Sequence, residues 1–538
     1  MLAGRLASDS VPPRLTASLK IWSACRDRWS GRRAAPNDRV DDVGIIHCTI
    51  RCDAMVHEQP ISDRQFAANW PSAAGGGSMP RLIIAVSAAL GAVVAIELGL
   101  PYPAEARFVL LMFALAIMGW TLLEIDDTVV ALAAVTALLA GGALPLAAVP
   151  KTLTNPLIGL LLGAFVISAA LTRSGLAERV VIAAIGNVRS VTRLFHGLAL
   201  VILATAFVVP STTSRATLFL PVFLTLAATI GDPRIVRALA LLIPSIVLLS
   251  ACAALTGAGA HLVATEFVAR SGGPTLDYAR WTMLGLPFAV ASSFLATSMI
   301  LWLFLDRDTR RTAPALPSIS PGPLDRRHRA VAVIVVATLV ALLGATAVGI
   351  DPAFVALASA TLLMIGPFRT LTPIMALKAI EWKLMVFLIA TTLMGEALIT
   401  SDAARMIAAD LVSSVGREAL GNPVTVAMMV AAIALVAHLV VTSRTARVVV
   451  LIPVLALPLA GFGFNPTALI LLVAVGTGFC QTLPVSAKAV ALYATLKQPT
   501  YAPKDLMLLS FALLPIHLVL LVVFSLVVWP LLGVPLKP

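Results

Sequence analysis

The chain has 538 residues, 59% of them apolar and only 12% charged, with a net charge of +12. An ordinary soluble domain carries about 25% charged residues, so this balance, with a mean hydropathy of +0.96, excludes a single soluble core and points to many membrane spans. The basic excess does not indicate a nucleic-acid partner, because the Lys and Arg residues sit in short loops between apolar runs, where the positive-inside rule puts them beside a lipid bilayer.

Residues 1–79 are polar, rich in Arg, Asp, Ser and Pro, and lack a signal-peptide core. They read as a disordered cytoplasmic tail or as a non-native leader ahead of a start at Met79. Cys25, Cys48 and Cys52 lie in this leader, Cys252 and Cys480 in apolar runs, and no spacing fits zinc or a disulfide framework. From residue 82 onward, apolar stretches of about 20 residues recur, the length needed to cross roughly 30 Å of hydrocarbon. Alternating strands of about 10 residues, the mark of a membrane β-barrel, are absent. Backbone groups in lipid must pair internally, so the chain is expected to be an all-α polytopic membrane protein.

Spans are expected at 82–99, 107–123, 128–148 and 155–172, then an amphipathic stretch at 176–192. A re-entrant hairpin at 195–230 follows, then spans at 235–268 and 281–304. The segment 306–329, with Arg307, Arg310, Arg311, Arg326, Arg327 and Arg329 among prolines, reads as a linker. Spans at 330–349, 353–367 and 382–400 precede a second hairpin at 424–462 and final spans at 466–496 and 507–532. The expectation is eleven spans and two hairpins, divided into a first half (80–305, an extra span plus one repeat), the linker, and a second half (330–538). A cytoplasmic N-terminus keeps the basic linker inside.

The halves read as repeats. Ala170, Leu171 and Ser174 recur as Ala397, Leu398 and Ser401; Ser211, Thr213, Arg215 and Pro221 recur as Ser443, Thr445, Arg447 and Pro453; Cys252 and Leu255 recur as Cys480 and Leu483. The matches are ordered and nearly equally offset. Five crossings per repeat force the second copy to run inverted.

Polar residues inside spans are expensive and mark function by default. Four clusters stand out: Pro210-Ser211-Thr212-Thr213-Ser214-Arg215 and Thr442-Ser443-Arg444-Thr445-Ala446-Arg447 at the hairpin tips, Leu255-Thr256-Gly257-Ala258-Gly259-Ala260-His261 in the fifth span, and Gln481-Thr482-Leu483-Pro484-Val485-Ser486-Ala487-Lys488 in the tenth. The arms flanking each tip, counted as apolar runs, are about 12–15 residues and too short to cross at 1.5 Å per residue, which places the tips near the midplane. Hydroxyls and free helix-end amides there suit an anion. Paired glycines and Pro484 are expected to interrupt their helices, and such interruptions in corresponding positions point to a transport site. Structural readings compete: hydroxyls that only join helices, kinks that only ease packing, and arginines (Arg215, Arg447) that snorkel. His196, His261 and His438 are open to proton coupling or to packing. No HExxH, Asp pair on a span or GxSxG appears, so no enzyme is expected.

These clusters resemble the divalent anion/sodium symporter family over essentially residues 80–535. The family frame has Ser-Asn-Thr at each hairpin tip and a proline ten residues past the Ser, matched here by Ser211-Thr212-Thr213 with Pro221 and Ser443-Arg444-Thr445 with Pro453. The resemblance implies a secondary transporter of dicarboxylates, citrate or sulfate, working by an elevator mechanism as a homodimer with no cofactor beyond Na+ as coupling ion. It implies a substrate site at Ser211, Thr212, Thr213, Thr256, Gly257, His261, Ser443, Arg444, Thr445, Pro484, Ser486 and Lys488, and sodium near Ser211, Thr212, Gly257 and Gly259. The motif asparagines are replaced by Thr212 and Arg444, and those of the later turns by His261 and Val490. A guanidinium has donors only and cannot ligate a cation, so Arg444, with Lys488, is expected to supply fixed positive charge in place of bound sodium. Related readings are an arsenite or metal–citrate carrier, or a transporter-like sensor without flux.

Overall fold

The computed structural model describes residues 78–123, 125–185, 188–316, 324–365, 369–415, 421–496 and 500–537. The leader, residues 1–77, and linker residues 317–323 lie outside the described residues, and with them the expectations made for those segments. The described residues form helices without a strand.

A repeated local device starts many of these helices. Asn155-Pro156, Asp232-Pro233, Asp351-Pro352, Asn422-Pro423 and Asn465-Pro466 each begin one, and each side-chain oxygen accepts the amide two residues on. Proline fits the first turn because its missing N–H would have no partner there, and the Asn or Asp satisfies the next amide.

The two halves carry the same order of elements. Each has a hairpin, a broken span and a long helix. In the first half these are 191–230, 233–270 and Tyr278–Phe304, and in the second 423–460, 466–494 and 503–531. The halves interlock reciprocally. Asp127–Ala140 packs on Trp382–Thr400, and Pro352–Leu362 packs on Pro156–Ser174. Likewise Gly259–Arg270 of the first broken span meets Arg444–Leu451 of the second hairpin, while Lys488–Ala494 of the second broken span meets Thr212–Leu218 of the first hairpin. Exchange contacts of this kind are what a two-fold axis between inverted copies produces.

Among the described residues, seven helices are long and apolar enough to cross a membrane; other expected spans run as shorter apolar helices or broken ones. One of the seven is Thr212–Ile230, which corrects the expectation that both arms of the first hairpin are too short to cross. The helix starts at Thr212, inside the polar motif, and bends past Phe219 where Pro221 withholds its amide, so counting only apolar residues understated it. In the second hairpin the corresponding proline, Pro453, sits in a π-turn at Ile452–Ala456.

The linker begins as a short helix, Arg307–Arg311, lying against the base of the first hairpin. Thr192 donates to the Arg310 carbonyl at 3.1 Å, and the Val191 amide to the Thr312 carbonyl at 3.0 Å. Asp306 caps this helix and pairs with Arg234 at 2.7 Å. The Thr309 amide and hydroxyl, with Arg234, hold the Asp306 carboxyl below its usual range. This contact is therefore complete at neutral pH and is lost as pH falls through that lowered value.

Two buried arginines fix each hairpin to the broken span of its own half. Arg215 is 0% exposed, and each of its three nitrogens is bonded: Nε to Thr205 at 3.1 Å, Nη1 to the Val247 carbonyl at 3.0 Å, and Nη2 to the Ile202 carbonyl at 2.6 Å and Ser250 at 2.7 Å. Arg447, 1% exposed, bonds the Val441 carbonyl at 3.1 Å and the Thr477 carbonyl at 3.0 Å. Their acceptors are the loose carbonyls where a first arm or a broken span ends, groups that lipid cannot satisfy. The first break is also gripped from outside. Trp281 donates to the Cys252 carbonyl at 3.0 Å, and a Cβ on Gly285 would stand 2.0 Å from that same oxygen.

Arg215→Met should lower the melting temperature in detergent by the equivalent of about 3 kcal/mol, since stranded buried carbonyls cost roughly 1–3 kcal/mol each. An unchanged melting temperature would show that these bonds do not hold the hairpin.

Candidate functional site

A cavity of about 290 Å³ opens where the hairpin tips and the broken spans meet. The first tip contributes Pro210, Ser211, Thr212 and Thr213, and the second Thr442, Ser443, Arg444 and Thr445. Ser211 and Ser443 stand at the N-caps of the second arms, accepting the amides of Ser214 (3.3 Å) and Ala446 (3.4 Å). This is local chemistry, a hydroxyl satisfying an amide three residues on. The broken spans contribute Ala258 and Gly259 on one side, and Cys480, Val485, Ala487 and Lys488 on the other. Ala258 and Ala487 are both extended and start their half-helices without a side-chain cap. The first-turn amides beyond them need an acceptor from elsewhere, which favours an anion beside them.

Of the residues singled out in the sequence, Ser211, Thr212, Thr213, Gly259, Ser443, Arg444, Thr445 and Lys488 line this cavity. Thr256, Gly257, His261, Pro484 and Ser486 do not. Thr256 and Gly257 are buried in the first break, where a Cβ on Gly257 would lie 2.1 Å from the Ala251 carbonyl. Gly257 therefore serves close packing, and of the four residues expected near sodium it alone lies off the cavity wall. Ser486 turns inward and accepts the Leu483 amide at 3.0 Å, and Pro484 opens the short turn that it closes.

His261 lies behind Arg444. Arg444 donates from Nη2 to His261 Nε2 at 3.0 Å and to the Ala474 carbonyl at 3.3 Å, while His261 Nδ1 faces the Ala254 carbonyl at 3.1 Å. A guanidinium only donates, so Nε2 must be an acceptor and Nδ1 carries the single proton, leaving the ring neutral. Trp281 packs on that ring with centroids 4.8 Å apart. Arg444 itself keeps Nε and Nη1 buried without a partner. The other two histidines singled out in the sequence are held by hydrogen bonds. His438 bonds the Leu435 carbonyl and Thr482, both at 2.7 Å, and His196 bonds the Thr192 carbonyl at 3.0 Å. Arg215 lies off the cavity, whereas Arg447 reaches its wall.

Sequence reasoning missed the contribution of the helices facing the tips. Asp127, Thr128, Glu381, Lys383, Leu384 and Phe387 line the cavity from the starts of Asp127–Ala140 and Trp382–Thr400. Glu381 accepts the Ser214 hydroxyl at 2.8 Å, Lys383 pairs with Asp126, and Asp127 faces Ser443 and Lys488. In the sequence these are ordinary charges at span ends, and nothing local distinguishes them. On the wall, Lys383, Arg444, Arg447 and Lys488 face only two carboxylates, Asp127 and Glu381, so the cavity is net positive.

Residues 80–534 match the family model described as "Sodium:sulfate symporter transmembrane region". A membrane protein of Cupriavidus necator is 23% identical over 355 residues, covering 62% of this chain and 67% of that protein. The crystal structure of the Alcanivorax borkumensis YdaH transporter, reported as having an unusual topology, aligns with a TM-score of 0.50 and 15% identity, over 81% of this chain and all of that one; this likeness concerns the fold. The chain belongs to the divalent anion/sodium symporter family, and is a multi-pass membrane transporter rather than an enzyme.

His261→Leu should cost about 1–3 kcal/mol of stability by removing an acceptor from buried Arg444. His261→Gln, which keeps an acceptor, should melt closer to the wild type. Equal losses in the two variants would remove the acceptor role.

Proposed function

We propose that the chain is a secondary active carrier of small anions across the cytoplasmic membrane, dicarboxylates or tricarboxylates first and sulfate second. The observation that carries this reading is Arg444: it stands on the wall of a net-positive cavity with two buried guanidinium nitrogens, Nε and Nη1, unpartnered. An arginine fork matches carboxylate and sulfate geometry, and the N–H groups on Nε and Nη1 find no acceptor among the described residues. Hydroxyls of the tip motifs and uncapped half-helix amides supply neutral donors around it.

The same residue bears on the proposed coupling. Arg444 donates to the Ala474 carbonyl of the second broken span, and in this reading its permanent charge replaces that of a bound sodium. The proposed coupling is therefore independent of sodium at the second hairpin. Ser211, Thr212 and Gly259 leave an oxygen-bearing wall at the first, the proposed place of a coupling sodium that uptake does not require. The hairpins, broken spans and long helices Tyr278–Phe304 and 503–531 form the proposed moving unit of an elevator. The remaining helices form the fixed frame and dimer contact, with the N-terminus cytoplasmic.

Purified protein should melt at higher temperature with rising succinate, citrate or sulfate, by about 2.7 kcal/mol equivalent at a hundredfold excess over Kd. Uptake into proteoliposomes preloaded with the same anion should persist without sodium, and Arg444→Gln should lower it about tenfold or more through loss of charge-assisted bonds. Stabilisation without flux would mean a sensor. Strict sodium dependence, or full uptake by Arg444→Gln, would defeat the assignment.

A further inference from the structure

Glu381 occupies the N-cap of Trp382–Thr400 yet makes no side-chain cap there. Aspartate at such a position caps its own helix, whereas the longer glutamate side chain extends past it. Instead it reaches to the first hairpin and accepts the Ser214 hydroxyl at 2.8 Å, across 167 residues of sequence. It also lines the cavity, while Ser214, just behind the tip motif, is absent from the wall. This bond joins a helix of the proposed frame to a hairpin of the proposed moving unit. Its carboxylate end is the one an entering ligand meets.

We propose that Glu381 and Ser214 form an anion-sensitive latch that holds the empty carrier, so that the protein works as an anion exchanger; this rests on the carrier reading above. In the empty cavity Glu381 spends its charge on Ser214. A dianion drawn in by Arg444 and Lys488 brings negative charge beside that carboxylate. Like charges a few Å apart in a site of low dielectric repel strongly, which weakens the bond to Ser214 and frees the hairpin. When the anion leaves, the carboxylate returns and the hairpin is held again. Anion binding and hairpin release are thereby linked, and an empty carrier crosses slowly. Two other contacts between the same two groups of helices lack this property. Arg270 of the first broken span pairs with Glu396 of Trp382–Thr400 at 3.0 Å, and Asn155 donates to Glu266 at 2.9 Å. Neither Arg270 nor Glu396 lines the cavity.

The test uses full-length protein in proteoliposomes loaded with labelled succinate or sulfate. Efflux is measured into buffer with and without the same unlabelled anion. Wild type should show efflux with anion outside at least tenfold above efflux without it. Ser214→Ala, which removes the donor but leaves the carboxylate, should raise the anion-free rate and reduce that ratio several-fold. Glu381→Gln keeps an acceptor for Ser214 and removes the charge, so succinate should stabilise it at lower concentration than wild type. Equal rates in wild type with and without external anion, or an unchanged ratio in Ser214→Ala, would overturn the latch while leaving the carrier reading intact. No movement of either anion in either direction would overturn both. As a check independent of stability, Ser214→Cys with Glu381→Cys joined by a short thiol-reactive crosslinker should stop exchange. Exchange that continues in the crosslinked protein would show that this hairpin does not move against this helix, and would overturn the proposal.

Discussion

Every interruption of a helix inside a membrane strands carbonyls and amides that lipid cannot satisfy. Among the described residues four of them surround one cavity, two hairpin tips and two broken spans, and their stability depends on what replaces the missing backbone partners. Arg215 and Arg447 do so on the carbonyl side, each spreading one guanidinium over the ends of a first arm and of a broken span. A full positive charge buried without a carboxylate is costly, but several aligned carbonyl dipoles and hydroxyls stand in for the counter-ion. The tips are held rigid by this means, and rigid tips are what allow Ser211 and Ser443 to present their neighbours at fixed positions.

At the two broken spans the amide side is left open, whereas Ser211 and Ser443 cap the amide ends of the hairpin arms. Ala258 and Ala487 begin half-helices without a side-chain cap, and both face the cavity. The contrast has a direction: carbonyl ends are consumed by buried arginines, and amide ends remain for a ligand. A cavity built this way is positive from its backbone before any side-chain charge is counted.

Symmetry of architecture does not carry over into chemistry. At corresponding positions the first tip has Thr212 and the second has Arg444, and the guanidinium makes demands the hydroxyl does not. It needs His261 as a neutral acceptor, and a small residue at 478, where a Cβ on Gly478 would lie 2.9 Å from Nη2. His261 and Arg444 are thus one unit across the two halves. The histidine's tautomer follows from the arginine's lack of an acceptor, and its place in a polar motif reflects support of Arg444 rather than contact with the cavity.

Much of the architecture was written in local sequence. Apolar length, helix-starting Asn-Pro and Asp-Pro pairs, glycine and proline interruptions, and matched polar motifs are one-dimensional signals. They placed the hairpins and breaks because lipid imposes the same backbone constraint on any chain. The tip residues Ser211 to Thr213 and Ser443 to Thr445 were legible for the same reason, being polar where polarity is expensive. Three things were decided only by tertiary packing. Thr256, Gly257 and Ser486 look like site residues in sequence but face into the breaks, because which side of an unwound turn meets the cavity depends on the helix packed behind it. Asp127 and Glu381 look like interfacial charges and become cavity walls only when the reciprocal packing of the halves brings their helix starts to the hairpin tips. Whether a buried arginine binds backbone or waits for a ligand also lay beyond sequence: Arg215 and Arg444 sit within four residues of equivalent motif serines, and only the positions of surrounding carbonyls separate a structural clamp from a guanidinium with nitrogens to spare.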